Sequence, residues 1–283
     1  MATATLAPIP ARSITVRRPD LDFAGDALPK YFVADDLVRS HIAAMLSAVF
    51  PEGEDFFVRS VRNYRDQITD PVLREQVKGF IGQEALHGRE HRAVNERLAE
   101  HGYPTLFVDR RVKHGLWLLA KVAPKRDQLA VTAALEHYTA TLAETLLREE
   151  GALDEFATPE VRTLFAWHAL EESEHKSVAF DVFEQVCGKR RVRVGIMYLT
   201  HIGFLVGMGA AVLLSIALDK EARRHPGRVL KGLRNLRTHP FFNRKVVRRL
   251  RDYDRKGFHP DQHDTTDLLV AWRDTLGAVP KAS

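Results

Sequence analysis

The feature that most constrains this chain is a pair of Glu-x-x-His motifs set far apart, Glu84-Ala85-Leu86-His87 and Glu172-Ser173-Glu174-His175. Residues at i and i+3 of an α-helix lie one turn apart on the same side, so each motif sends a carboxylate and an imidazole into one space. Before each motif, at the distance of a neighbouring helix, an apolar helical segment carries a lone glutamate: Glu54 before the first and Glu136 before the second. A helix bundle that binds two metal ions uses this set, with one Glu from each of two helices and a Glu-x-x-His pair from each of the other two. The spacing therefore predicts metal ligands at Glu54, Glu84, His87, Glu136, Glu172 and His175, with Glu52 as the alternative to Glu54. An oxygen-rich set with imidazoles and no thiolate implies two iron ions, with manganese or zinc as the alternatives.

The neighbours support a buried site. Glu84 follows Phe80 and Ile81, Glu136 follows Val131 and Leu135, and the second motif lies between Trp167 and Phe180. Carboxylates in such company need a partner or a metal. His168 lies four residues before Glu172, and His91 four after His87, on the same helical faces. Each reads as an extra ligand, as a donor that orients a ligand, or as an ordinary helix histidine. Glu171, Glu174, His137 and Glu144 read as orienting or surface groups.

Nearly every segment reads as helix, and no period-2 strand is evident. Asp35-Asp36 caps a stretch that reaches Phe50, and Pro51 opens the next helix. Asp70-Pro71 starts a helix that stops at Gly102. A connection at 103–124 contains a short helix near 112–119. A helix over 126–150 ends at Gly151, and another runs from Thr158 to near Gly188. Shorter helices follow, one from Pro240 and one over 265–276. The expected organisation is a loosely ordered arm at 1–30, a di-metal helical bundle at 31–190, an apolar helix at 191–222 and a basic helical extension at 223–283.

Val194 to Leu218 is an apolar run broken only by Thr200, His201, Ser215 and glycines. It is long enough to span a bilayer, yet both flanks are basic, against the positive-inside tendency. The first expectation is a helix buried on the bundle or at a homodimer interface. Insertion into one leaflet around Gly203, Gly207 and Gly209 comes second, and a true span third. The net charge of +5 is concentrated between Lys220 and Lys256, which suits an anionic membrane surface or a protein better than nucleic acid. One cysteine, Cys187, excludes a disulfide framework. A cytoplasmic protein, peripheral on the inner face of the membrane, is expected.

The strings Gln83-Glu84-Ala85-Leu86-His87 and His168-Ala169-Leu170-Glu171-Glu172-Ser173-Glu174-His175-Lys176, with Ala179-Phe180-Asp181, resemble the bacterial family labelled "predicted metal-dependent hydrolase", a ferritin-like relative. The resemblance covers roughly residues 30 to 270. It implies an all-α, ferritin-like four-helix bundle with a di-metal centre plus additional C-terminal helices. His168-x-x-x-Glu172-x-x-His175 is also similar to the di-iron aryl-amine N-oxygenases, and that similarity implies His168 as a third imidazole ligand. The leading expectation is thus a di-iron oxidoreductase or oxygenase that activates O2 on a small apolar substrate and takes electrons from a donor protein. The alternative is a di-metal hydrolase using a metal-bound hydroxide. A non-enzymatic metal-binding or membrane-docked protein is the third.

Overall fold

A computed structural model describes residues 14–23 and 28–276. The described residues are helical almost throughout, and extended backbone pairs among them only as an isolated bridge between Val33 and Phe156. Helix α1 (Leu37–Arg62) is capped by Asp36, which accepts from the backbone N–H groups of Val38 and Arg39. It runs straight through Pro51, where the sequence suggests a new start. Proline cannot donate to the carbonyl four residues back. That carbonyl, Ser47 O, accepts instead from Asn95 Nδ2 at 3.0 Å, so the helix continues.

Helix α2 (Pro71–Glu100) is capped by Asp70 and ends before Gly102, whose φ of +88° lies in the left-handed region that glycine adopts without strain. The connection that follows holds α3 (Thr105–Val122), longer than the short helix expected there. Helix α4 (Lys125–Arg148) leads to α5 (Pro159–His175) and α6 (Val178–Val186). The single helix expected from Thr158 to Gly188 breaks at Lys176 and Ser177, where Lys176 Nζ donates to Thr265 Oγ1 and His263 O in the C-terminal region.

The core is stacked along the helix axes. One apolar layer takes Met45 and Ala48 of α1, Val94 and Leu98 of α2, Leu146 of α4 and Leu164 of α5. A second takes Phe56 and Val61 of α1, Val77 and Phe80 of α2, Leu129 of α4 and Phe183 of α6. Glu54, Glu84, His87, Glu136, Glu172 and His175 fall between these two sets along the chain of each helix. A polar layer is therefore sealed above and below by hydrocarbon.

Helix α7 (Arg190–Leu218) packs on α1 and α4, but it is not the buried helix expected first. Only 6% of its apolar window is buried. Its buried positions are Arg193, Met197, Thr200 and Ser215, while Leu199, Leu205 and Leu213 are 65%, 67% and 70% exposed. By length and composition alone it could cross a membrane. Helices α8 (Lys220–Arg224), α9 (Pro226–Asn235), α10 (Arg244–Asp252) and α11 (Thr266–Thr275) follow. Pro240 begins a 3-10 turn rather than a helix, because Asn243 caps α10 by accepting from Lys245 N and Val246 N. Within the segment expected as a loose arm, Arg17 is only 7% exposed; residues 1–13 and 24–27 lie outside the described residues, as do 277–283 of the extension.

Candidate metal centre

Four helices bring the expected residues together. Helix α1 supplies Glu54, α2 supplies Glu84 and His87, α4 supplies Glu136, and α5 supplies His168, Glu172 and His175; all are buried. They gather as two triads, Glu54–His87–His168 and Glu84–Glu172–His175, within each of which the nearest donor atoms lie inside 4.8 Å of one another. Glu172 joins the triads. Its Oε1 is 3.0 Å from His168 Nε2 and its Oε2 3.4 Å from His175 Nε2. His175 Nε2 also faces Glu84 Oε1 at 3.0 Å and Glu136 Oε2 at 3.3 Å. Glu52 stays outside the cluster and pairs with Lys113 at 3.2 Å.

Hydrogen bonds settle how each imidazole is presented. Gln83 Nε2 donates to Glu174 Oε2 and Thr15 O, so its carbonyl oxygen is left to accept from His175 Nδ1–H at 2.8 Å. His175 Nε2 then faces the carboxylates. On the other side, His87 Nε2–H donates to Glu171 Oε2 at 3.1 Å, which leaves Nδ1 buried and unpartnered. His91 is not among the clustered donors. Asn95 Nδ2 donates to Ser47 O, so Asn95 Oδ1 accepts from the Ser47 hydroxyl, which in turn accepts from His91 Nδ1–H. His91 Nε2 therefore accepts from His168 Nδ1–H at 2.7 Å, and His168 Nε2 is turned to the site. His91 acts by positioning His168.

The two motifs brace each other. The residue just before each motif glutamate reaches the histidine of the opposite motif: Gln83 to His175, and Glu171 to His87. Behind them Arg17 bonds both Glu171 and Glu174, and Arg273 bonds Glu174. Glu174 is thereby an anchor for Gln83, whereas His137 bonds Arg249 O and Glu144 pairs with Arg148 and Arg249, away from the triads.

Without a cation the electrostatics are unfavourable. Burial, then the neighbouring carboxylates, hold Glu54 and Glu84 well above the ordinary carboxyl range. Burial and Glu172 push Glu136 up to about 7. Burial also raises Glu172, but His175 and His168 outweigh it and hold Glu172 low. His175 is held high because Glu136 and Glu172 overcome its burial. Burial, followed by His168, keeps His87 and His91 neutral.

The sequence matches the family described as "Predicted metal-dependent hydrolase" over residues 15–264. The chain belongs to that family. No curated protein and no solved structure matches it. Membership in the metal-dependent hydrolase family overturns the leading expectation of an O2-activating di-iron oxidoreductase; the hydrolytic alternative is the one the family supports. The comparisons give no relation to ferritin-like proteins or to the N-oxygenases.

Proposed function

We propose that this family member is a hydrolase working with two divalent metal ions, held by Glu54, His87 and His168 on one side and by Glu84, Glu136 and His175 on the other, with Glu172 between them. The supporting observation is a set of orphaned atoms. Both carboxylate oxygens of Glu54, Glu84 Oε2, Glu136 Oε1 and His87 Nδ1 are buried with no hydrogen-bond partner, and His175 Nε2 meets only carboxylate oxygens, the nearest being Glu84 Oε1 at 3.0 Å. One such group costs about 1–3 kcal/mol, more when charged. Several of them in one layer would cost a large share of a domain's stability. Cations remove that cost, and the donor set of carboxylates and imidazoles suits them. The convergence of α1, α2, α4 and α5 supports reading these helices as a ferritin-like bundle.

When bound, the metal supplies Lewis acidity and lowers the pKa of a coordinated water towards neutrality. The protein's own groups set the conditions. Gln83, Glu171 and His91 fix the ring orientation and tautomer of the three histidines. Thr139 Oγ1 donates to Glu172 Oε2 and steadies the shared carboxylate. Phe50 lies over His91 and His168, with centroids 4.7 and 4.6 Å away, and Trp167 meets His87 edge-on at 4.8 Å. These rings exclude bulk water and strengthen the local field.

Metal analysis of the purified protein, paired with a panel of nitrophenyl carboxylic and phosphoric esters, tests this reading. About two ions per chain are expected, with hydrolysis that chelation and Glu84→Gln abolish. A protein that retains no metal after loading, or a loaded protein whose ester hydrolysis survives Glu84→Gln unchanged, overturns it.

A further inference from the structure

Helix α7 is amphipathic the wrong way round for a surface helix of a protein surrounded by water. Its polar side chains face inward. Arg193 donates to Tyr253 O and Arg255 O, His201 bonds Tyr138, and Ser215 bonds His41 Nδ1. Its outward positions are apolar: Leu199, Ile202, Leu205, Val206 and Leu213 are each 62–70% exposed. Such a stripe needs a cover.

The surroundings say which cover. Cations stand at both ends of the helix, with exposed Lys189, Arg190 and Arg191 before the apolar stretch and Lys220, Arg223 and Arg224 after it. The neighbouring helices extend the pattern. Phe204 of α7 and Leu250 of α10 pack on one cluster, and Ile216 of α7 and Val229 of α9 on another, so α9 and α10 each share a packing cluster with α7. Both show apolar residues outward, Leu230, Leu233 and Val247, among exposed Lys231, Arg234 and Arg248. A second copy of the chain is a poor partner for this face. Parallel or antiparallel, an α7–α7 pair sets basic ends against basic ends. A spanning orientation is also disfavoured, because the inner face of α7 is hydrogen-bonded along its length to the helical body.

We propose that α7 lies in the plane of an anionic lipid leaflet, its leucine face sunk among the acyl chains and the flanking Lys and Arg side chains on the headgroups. Interfacial helices of this kind combine buried apolar area with attraction to anionic lipid. The helix anchors the body with the metal layer held above the surface, since α7 packs on α1 and α4, which carry Glu54 and Glu136.

Flotation of the full chain with vesicles tests the proposal. Vesicles of equal parts phosphatidylcholine and phosphatidylglycerol are expected to carry the protein, and pure phosphatidylcholine to carry far less. The triple variant Leu199→Glu, Leu205→Glu, Leu213→Glu changes only exposed side chains and is expected to lose about tenfold or more in partitioning, with unchanged circular dichroism and melting. A second readout places Ile202→Cys, in a Cys187→Ser background, with an environment-sensitive fluorophore. Its emission shifts to the blue on anionic vesicles if the face is immersed. Three results overturn the proposal: equal flotation of the triple variant, which would leave charge adhesion alone; no blue shift on bound vesicles; or no flotation together with a wild-type dimer that the triple variant converts to monomer, which would make the face a contact between copies.

Discussion

Gln83 shows how a residue that touches no metal can decide whether one is held. Its amide accepts from His175 Nδ1–H while donating to Glu174, so it fixes both the tautomer and the direction of the ring. Gln83→Leu keeps the approximate volume and removes these two bonds together with the one to Thr15 O. Metal affinity is expected to fall about 10–100-fold, read by competition with a chromogenic chelator, with helicity retained; unchanged affinity would mean packing alone orients His175. The candidate ligand residues could be picked out in the sequence because i,i+3 spacing is a local property of a helix. Gln83 was partly legible, sharing a helical face with His87 four residues on. Glu171 and Glu174 were weighed only as orienting or surface groups, and the first of these is what the braces require. Arg17, Ser47 and Asn95 were not legible. Their relation to the histidines depends on which helices pack together, and nothing in their own neighbourhoods announces it.

At the scale of elements, two junctions carry weight beyond their size. The segment around Arg17 lies on α2 where Gly79 and Gly82 leave room for it. A Cβ at Gly79 would come within 2.6 Å of Ile14, and one at Gly82 within 2.7 Å of Val16. Alanine at both positions gains up to about 1 kcal/mol each in helix propensity. Overpacking against β-branched side chains costs about 1–3 kcal/mol, so the balance is loss. Gly79→Ala with Gly82→Ala is expected to lift the segment, part Arg17 from Glu171 and Glu174, and weaken metal binding with no ligand altered; faster proteolysis near the N-terminus would accompany it. The second junction is Asp219, which starts α8 and accepts from Lys30 Nζ at 2.6 Å, Tyr31 OH at 2.8 Å and Glu221 N at 2.8 Å, with His41 Nε2 at 3.1 Å. Burial opposes its charge, but these donors win and hold the carboxyl below its ordinary value of 3.8. The stabilisation is complete above that value and fades as pH falls through the lower folded one. Asp219→Asn is expected to cost about 2 kcal/mol near neutral pH and to flatten the acid limb of a melting-temperature profile. Periodicity marks α7 as apolar without saying what covers it, and Pro51 reads as a boundary only while Asn95 is out of view.

Across the whole molecule, the polar layer sets folding stability against metal binding. Glu136 has its carboxyl pushed up to about 7 by burial and by Glu172, against an unfolded value near 4.5. A carboxyl raised in this way makes the folded, metal-free chain less stable as pH climbs from about 4.5 to about 7, because the unfolded chain gives up its proton first. The cost of this one group is about 3 kcal/mol. Metal reverses the balance by displacing the proton and pairing the charge. An ion present at about a hundred times its Kd adds about 2.7 kcal/mol. Glu136→Gln separates the two roles, since an amide fits the volume and carries no charge. At pH 8 the metal-free variant is expected to melt about 5–10 °C above metal-free wild type, with a flatter pH profile between 5 and 8. Added metal should raise the wild type towards the variant and raise the variant by less. Parallel pH profiles for the two metal-free proteins would show that Glu136 carries no electrostatic strain, and the reason for placing carboxylates between two apolar layers would have to lie elsewhere in the set.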